Sequence, residues 1–232
     1  TVVGSGIAAA SLSPGNVGLQ LLENALATGA VLFVLIATLG PVSGAHFNPV
    51  VTGVDAWLGG LPRRDALPYV VVQVVGACLG AILANLMFGL AAVSISTNER
   101  SGSALWLSEV VATFGLLLVI LGLVRAGRSS WIPAAVASYI VGAYWFTAST
   151  SFANPAVTIG RTLSDTFAGI APSSVPMFVV AQVLGAVLAT EGHPELHEAL
   201  PREVAQRRRG RRVSEHLPVH RHPLLRPREP RR

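Results

Sequence analysis

The same ten-residue passage occurs twice in this chain. Ser43-Gly44-Ala45-His46-Phe47-Asn48-Pro49-Val50-Val51-Thr52 matches Ser149-Thr150-Ser151-Phe152-Ala153-Asn154-Pro155-Ala156-Val157-Thr158, with the Asn-Pro pairs 154 − 48 = 106 residues apart. A second match follows further on, where Gln73-Val74-Val75-Gly76-Ala77-Cys78-Leu79-Gly80-Ala81 meets Gln182-Val183-Leu184-Gly185-Ala186-Val187-Leu188-Ala189-Thr190 at an offset of 109. Two matches at nearly one offset mark a duplicated half with one small insertion. A fold for this chain has to accommodate the same unit twice.

The surroundings of the copies decide how the units sit. Up to Thr190 there are six Arg and six acidic residues; the other 17 − 6 = 11 Arg and 12 − 6 = 6 acids, net +5, lie in residues 191–232. So few charges in the first 190 residues exclude a soluble globular domain and point to a membrane. The location of the surplus also removes net charge as a reason to expect nucleic acid. Apolar stretches at about 19–39 (interrupted by Glu23), 67–93, 104–124 and 131–148 are long enough, or nearly so, to cross the ~30 Å hydrocarbon layer as helices. Residues 1–12 and 176–190 are apolar but short, and the first residue is not Met, so the first and last spans are expected to be truncated. Three spans per half is an odd number. The halves therefore insert in opposite senses, as an inverted repeat. Arg63, Arg64, Arg125 and Arg128 place two connections on the cytoplasmic side, and both termini with them. The single cysteine, Cys78, rules out a disulfide framework and reads as a packing residue. Gly76 to Gly80 reads as a small-residue stripe for close helix approach.

Each Asn-Pro opens an apolar run, residues 48–57 and 154–167, too short to cross. Asn is a favoured N-cap and Pro a favoured first helical residue. Each run is thus expected to be a half-helix starting at membrane mid-depth, where irregular backbone survives only if buried in protein or lining a wet cavity. Two half-helix N-termini facing each other put partial positive charge at the centre of a pore. The Asn48 and Asn154 amides add donors there, and the carbonyls of 44–47 and 151–153 add acceptors. Neutral solutes in single file can trade hydrogen bonds with such a lining, while cations meet a barrier. No nucleophile–base pair, phosphate loop or metal cluster appears, so neither an enzyme nor a cofactor or metal site is expected.

The paired boxes Asn48-Pro49-Val50 and Asn154-Pro155-Ala156 resemble those of the aquaporin, or major intrinsic protein, family over about residues 1–190. The resemblance implies an all-α integral membrane protein with three transmembrane helices and one re-entrant half-helix per half, here about 1–93 and 104–190. It implies a passive channel for small neutral solutes in the plasma or inner membrane, assembled as a homotetramer with lipid around it. Glu109 matches the buried glutamate that supports the re-entrant loop of its own half. Water-selective members carry Arg three residues after the second Asn, where this chain has Val157. The other filter positions, carried over at fixed offsets, are Thr28, Gly142 and Ser151. All four are small, so a wide filter is expected. Arg161 has two readings, a displaced mouth arginine or a surface arginine at the headgroups. His46 has two as well, a pore-lining residue or a strut in its loop. The run from Asn154 to Arg161, with Asp165-Thr166-Phe167-Ala168-Gly169-Ile170, is similar to a bacterial branch often linked to arsenic resistance, which implies neutral arsenic species as well as polyols.

Residues 191–232, rich in Arg and Pro, read either as a disordered basic arm or as frameshifted sequence, since the repeat breaks where they begin. Two rival functions remain: an ion-coupled transporter of the inverted-repeat type, with Glu23, Glu109 and His46 as its only ionisable candidates, and a truncated channel that does not conduct.

Overall fold

The computed structural model describes residues 1–191; the basic segment from 192 onward lies outside the described residues. Eight α-helices follow one another: α1 (Val2–Leu12), α2 (Val17–Ser43), α3 (Pro49–Trp57), α4 (Arg63–Met87), α5 (Ser103–Arg125), α6 (Ile132–Phe146), α7 (Pro155–Gly160) and α8 (Val175–Glu191). Four helical segments are long and apolar enough to cross a membrane: α2, α4, α5 and α8 with the 3-10 turn ahead of it. The architecture is an all-helical membrane protein.

Residue placement follows a membrane logic. Large apolar side chains such as Leu26, Val34, Leu79, Leu107 and Val180 face outward, while Asn24, Thr52, Asn85, Glu109, Thr113, Thr158 and Gln182 are buried. Lipid accepts the first set without cost. The second set has to find partners inside the protein.

The half-helices differ in length. α3 fills residues 49–57 as the spacing predicts. α7 is shorter than the expected run to residue 167: it ends at Gly160, followed by a 3-10 turn, Arg161–Leu163, and extended backbone at Ser164. Gly160 sits against α4, where a Cβ would come within 2.8 Å of the Ala77 carbonyl carbon. Continued helix would carry the chain away from residues 88–102, which instead hold it: Ser96 N donates to Thr162 O (2.8 Å) and Ser94 N to Leu163 O (3.0 Å). The small-residue stripe of α4 is also revised. Ala77 makes the close approach, while Gly76 and Gly80 face nothing within 4 Å. Cys78 is half-buried.

Candidate functional site

Both half-helices start on the same device. Asn48 and Asn154 have extended backbone, and their Oδ1 atoms accept the first free N–H groups of α3 and α7: Val50 N at 3.1 Å, and Ala156 N and Val157 N at 3.0 and 3.2 Å. With Oδ1 used locally, each Nδ2 points away from its own helix and crosses to the other half. Asn48 Nδ2 donates to Ala153 O and Asn154 Nδ2 to Phe47 O, both at 2.7 Å. The two re-entrant elements are tied together by a reciprocal pair of amide–carbonyl bonds.

The loops that supply those carbonyls are strained in the same way. Gly44, Ala45 and Phe47 have positive φ, and so do their equivalents Thr150, Ser151 and Ala153. Such geometry costs a side-chain-bearing residue roughly 1–3 kcal/mol and persists only where its surroundings impose it. In the second half the surroundings include Glu109, fully buried on α5. Its Oε1 accepts from Phe152 N (2.9 Å), and its Oε2 from Ala153 N (2.8 Å) and Gln182 Nε2 (2.7 Å). Gln182 also donates to Thr158 Oγ1 at 2.9 Å. In the first half Gln73 donates to Thr52 Oγ1 at 2.8 Å, and His46 Nδ1 lies 3.2 Å from the same oxygen. His46 Nε2 lies 3.4 Å from Asp55 Oδ2. His46 thus combines both of its readings, since it lines the cavity and braces its loop.

A cavity of about 720 Å³ runs past these groups. Its wall includes residues 44–48 and 151–154, with Thr28, Ala156, Val157 and Arg161. Pro49, Val50 and Pro155 lie behind this surface, and Val50 belongs to the main apolar core. Of the four expected filter positions, Thr28, Ser151 and Val157 line the cavity and Gly142 does not. Gly142 is exposed, with nothing within 4 Å of where its Cβ would be. The reason is helix phase: α6 faces the cavity with Ile132, Val136, Ile140 and Tyr144, and a residue two positions from that row points roughly 160–200° away. Tyr144, two residues further on, lines the cavity. It is buried, and its hydroxyl donates to Thr28 Oγ1 at 3.3 Å. The four-residue spacing of that row was the available signal, and a fixed offset overlooked it. Ser151 Oγ is buried without a hydrogen-bond partner among the described residues.

Arg161 is not on the surface. It is 4% exposed, its Nε donates to Ala168 O, and its guanidinium carbon lies 3.4 Å from the centroid of the Phe152 ring. Arg100, in the connection ahead of α5, lies 5.2 Å from the same centroid and donates to Gly169 O (2.9 Å) and Phe167 O (3.3 Å). Burial pushes the Arg100 guanidinium below its ordinary value. The wall holds hydrogen-bond donors, acceptors and one guanidinium. That set can conduct polar solutes.

The sequence profile of the family described as Major intrinsic protein matches residues 1–148. An aquaglyceroporin, AqpS, of Rhizobium meliloti (strain 1021) is 53% identical over 188 residues, 81% of this chain and 80% of that protein. Aquaporin AqpM of Methanothermobacter marburgensis is 34% identical over 203 residues, covering 77% and 81%. Aquaporin Z of Brucella melitensis biotype 1 is 31% identical over 205 residues, covering 80% and 86%.

Proposed function

The chain belongs to the major intrinsic protein family of aquaporin-type membrane channels, and from that premise we propose that it passes small neutral oxygen-bearing solutes in single file between its two Asn-Pro boxes. Passive conduction of water and glycerol follows from the family and involves no catalysis. The finer reading adds polyols in preference to water alone, and neutral arsenic species such as arsenous acid or methylated arsenicals. What supports it most is the reciprocal bonding of Asn48 and Asn154. That bonding fixes two amides and two carbonyl-bearing loops beside one cavity. A solute crossing there exchanges water for protein partners without a charged intermediate.

In this reading Asn48, Pro49, Val50, Asn154, Pro155 and Ala156 form the centre. Thr28, Tyr144, Ser151 and Val157 form the filter, with Tyr144 replacing Gly142. Glu109 and His46 hold the loops. Val157 leaves the filter without the arginine of water-selective members, and a 53%-identical relative bears the name aquaglyceroporin; both favour polyols. The two halves, 1–93 and 104–190, form one channel domain whose termini face the cytoplasm, and four copies assemble with one pore each.

Stopped-flow swelling of proteoliposomes containing the full chain tests this, with water, glycerol and arsenous acid in turn. Glycerol and arsenous acid should enter faster than in empty liposomes, and a proton gradient should not alter their rates. Uptake that follows the proton gradient would show a coupled transporter instead.

A further inference from the structure

Because the boxes fix equivalent positions, each half can be read against the other. The seventh residue after each box asparagine is charged, but with opposite sign: Asp55 after Asn48 and Arg161 after Asn154. Both line the cavity. Their settings differ. Asp55 has His46 Nε2 at 3.4 Å, whereas no carboxylate among the described residues lies within ion-pair distance of Arg161. Arg161 spends one N–H on Ala168 O and stacks on Phe152. A guanidinium has five N–H groups. The four on its terminal nitrogens make no hydrogen bond to another described residue, and the side chain borders the cavity.

The chain goes to some length to hold this cation. Arg100 binds the carbonyls of Phe167 and Gly169, and Arg161 binds the carbonyl between them, at Ala168. Phe152, which receives both guanidiniums, belongs to the strained loop and is fixed through its N–H by Glu109. Two arginines in one neighbourhood repel each other, and an ionisable group in a membrane interior is costly unless it has a task.

We infer that Arg161 is the specificity-determining cation of this channel, supplied from one helical turn beyond Val157 and held by Phe152 and the Ala168 carbonyl. From there it offers a fork of donors to the oxygens of neutral solutes and repels cations. The Val157 level stays open to solutes wider than water. This assignment rests on the channel reading above.

The test uses the full chain in proteoliposomes, with glycerol and water flux by stopped flow and proton leak by an internal pH dye under a valinomycin-clamped potential. Arg161→Met should raise the ratio of proton leak to glycerol flux about tenfold, since about 1.4 kcal/mol of barrier is one decade in rate. Adding Val157→Arg to that variant should return the leak toward wild type and lower glycerol flux, which a purely structural arginine would not do. An Arg161→Met protein that elutes and melts like wild type, with that ratio unchanged within about twofold, overturns the assignment. Should Arg161→Met fail to fold, Arg161→Lys decides, because it keeps the charge and loses the fork. A shifted glycerol-to-water ratio supports the assignment, and an unchanged one overturns it. Wild-type protein that passes no solute overturns the channel reading, whereas conducting wild type with an indifferent Arg161 overturns this assignment alone.

Discussion

Glu109 shows how a single residue stabilises an unfavourable backbone. Its two oxygens accept three hydrogen bonds, from Phe152 N, Ala153 N and Gln182 Nε2, in a place without water to substitute for it. A hydrogen bond to a charged group contributes roughly 1.5–3 kcal/mol. Glu109→Gln keeps the shape but presents an NH₂ to a buried N–H or to the Gln182 amide. We expect a loss of about 2–3 kcal/mol, read as a lower midpoint in detergent-induced unfolding. The acid was legible in sequence because a charge within an apolar span stands out. The boxes were legible too, since Asn and Pro occupy helix-start positions for chemical reasons. Tyr144 and the inward turn of Arg161 were not. Each depends on where a side chain points once its helix has a phase and an end, and a fixed offset from a motif carries neither.

Between elements, glycines at matched places in the repeat can differ in how closely they let their helix approach a neighbour. Gly185 on α8 meets α5 so tightly that a Cβ would run into the Val110 carbonyl and come within 3.0 Å of Phe114 N. Gly76, its match in the repeat, meets nothing within 4 Å. The same substitution should therefore have two outcomes. Gly185→Val is expected to cost about 1–3 kcal/mol or more through overpacking, seen as a lower melting temperature and a broadened size-exclusion peak. Gly76→Val should stay within about 0.5 kcal/mol of wild type in the same assays. Repetition in sequence revealed that two helices correspond, but not that their neighbours differ. The early end of α7 has the same origin. Nothing in residues 160–167 breaks a helix as Pro would; contacts with Ala77 and with residues 94–96 end it.

Across the whole molecule, the segment between the halves does more than connect them. Asp165 Oδ1 accepts from Thr97 N (2.9 Å) and Thr97 Oγ1 (3.1 Å), Asn85 binds Leu163 O and Ser164 Oγ, and Ala171 N donates to Asn98 O. These bonds fasten residues 92–100 to the stretch that carries Arg161. Asp165→Ala should cost about 1 kcal/mol per lost bond at most, given its exposure, and should speed limited proteolysis within residues 88–102. Loop residues without periodicity gave no hint of this fastening. The duplication, by contrast, was legible, since both matched Asn-Pro passages open an asparagine-capped half-helix.

The crossed asparagine bonds also bear on how the protein is made. Asn48 and the carbonyl it needs, on Ala153, are 105 residues apart in sequence, so a ribosome delivers the donor long before the acceptor exists. Until then the first re-entrant loop holds an amide without its native partner and a Phe47 carbonyl still waiting for Asn154. Neither half is a finished object that later docks with a copy of itself. Each supplies the stitch that closes the other, and the joint between the two re-entrant elements cannot be completed before the second half is in place.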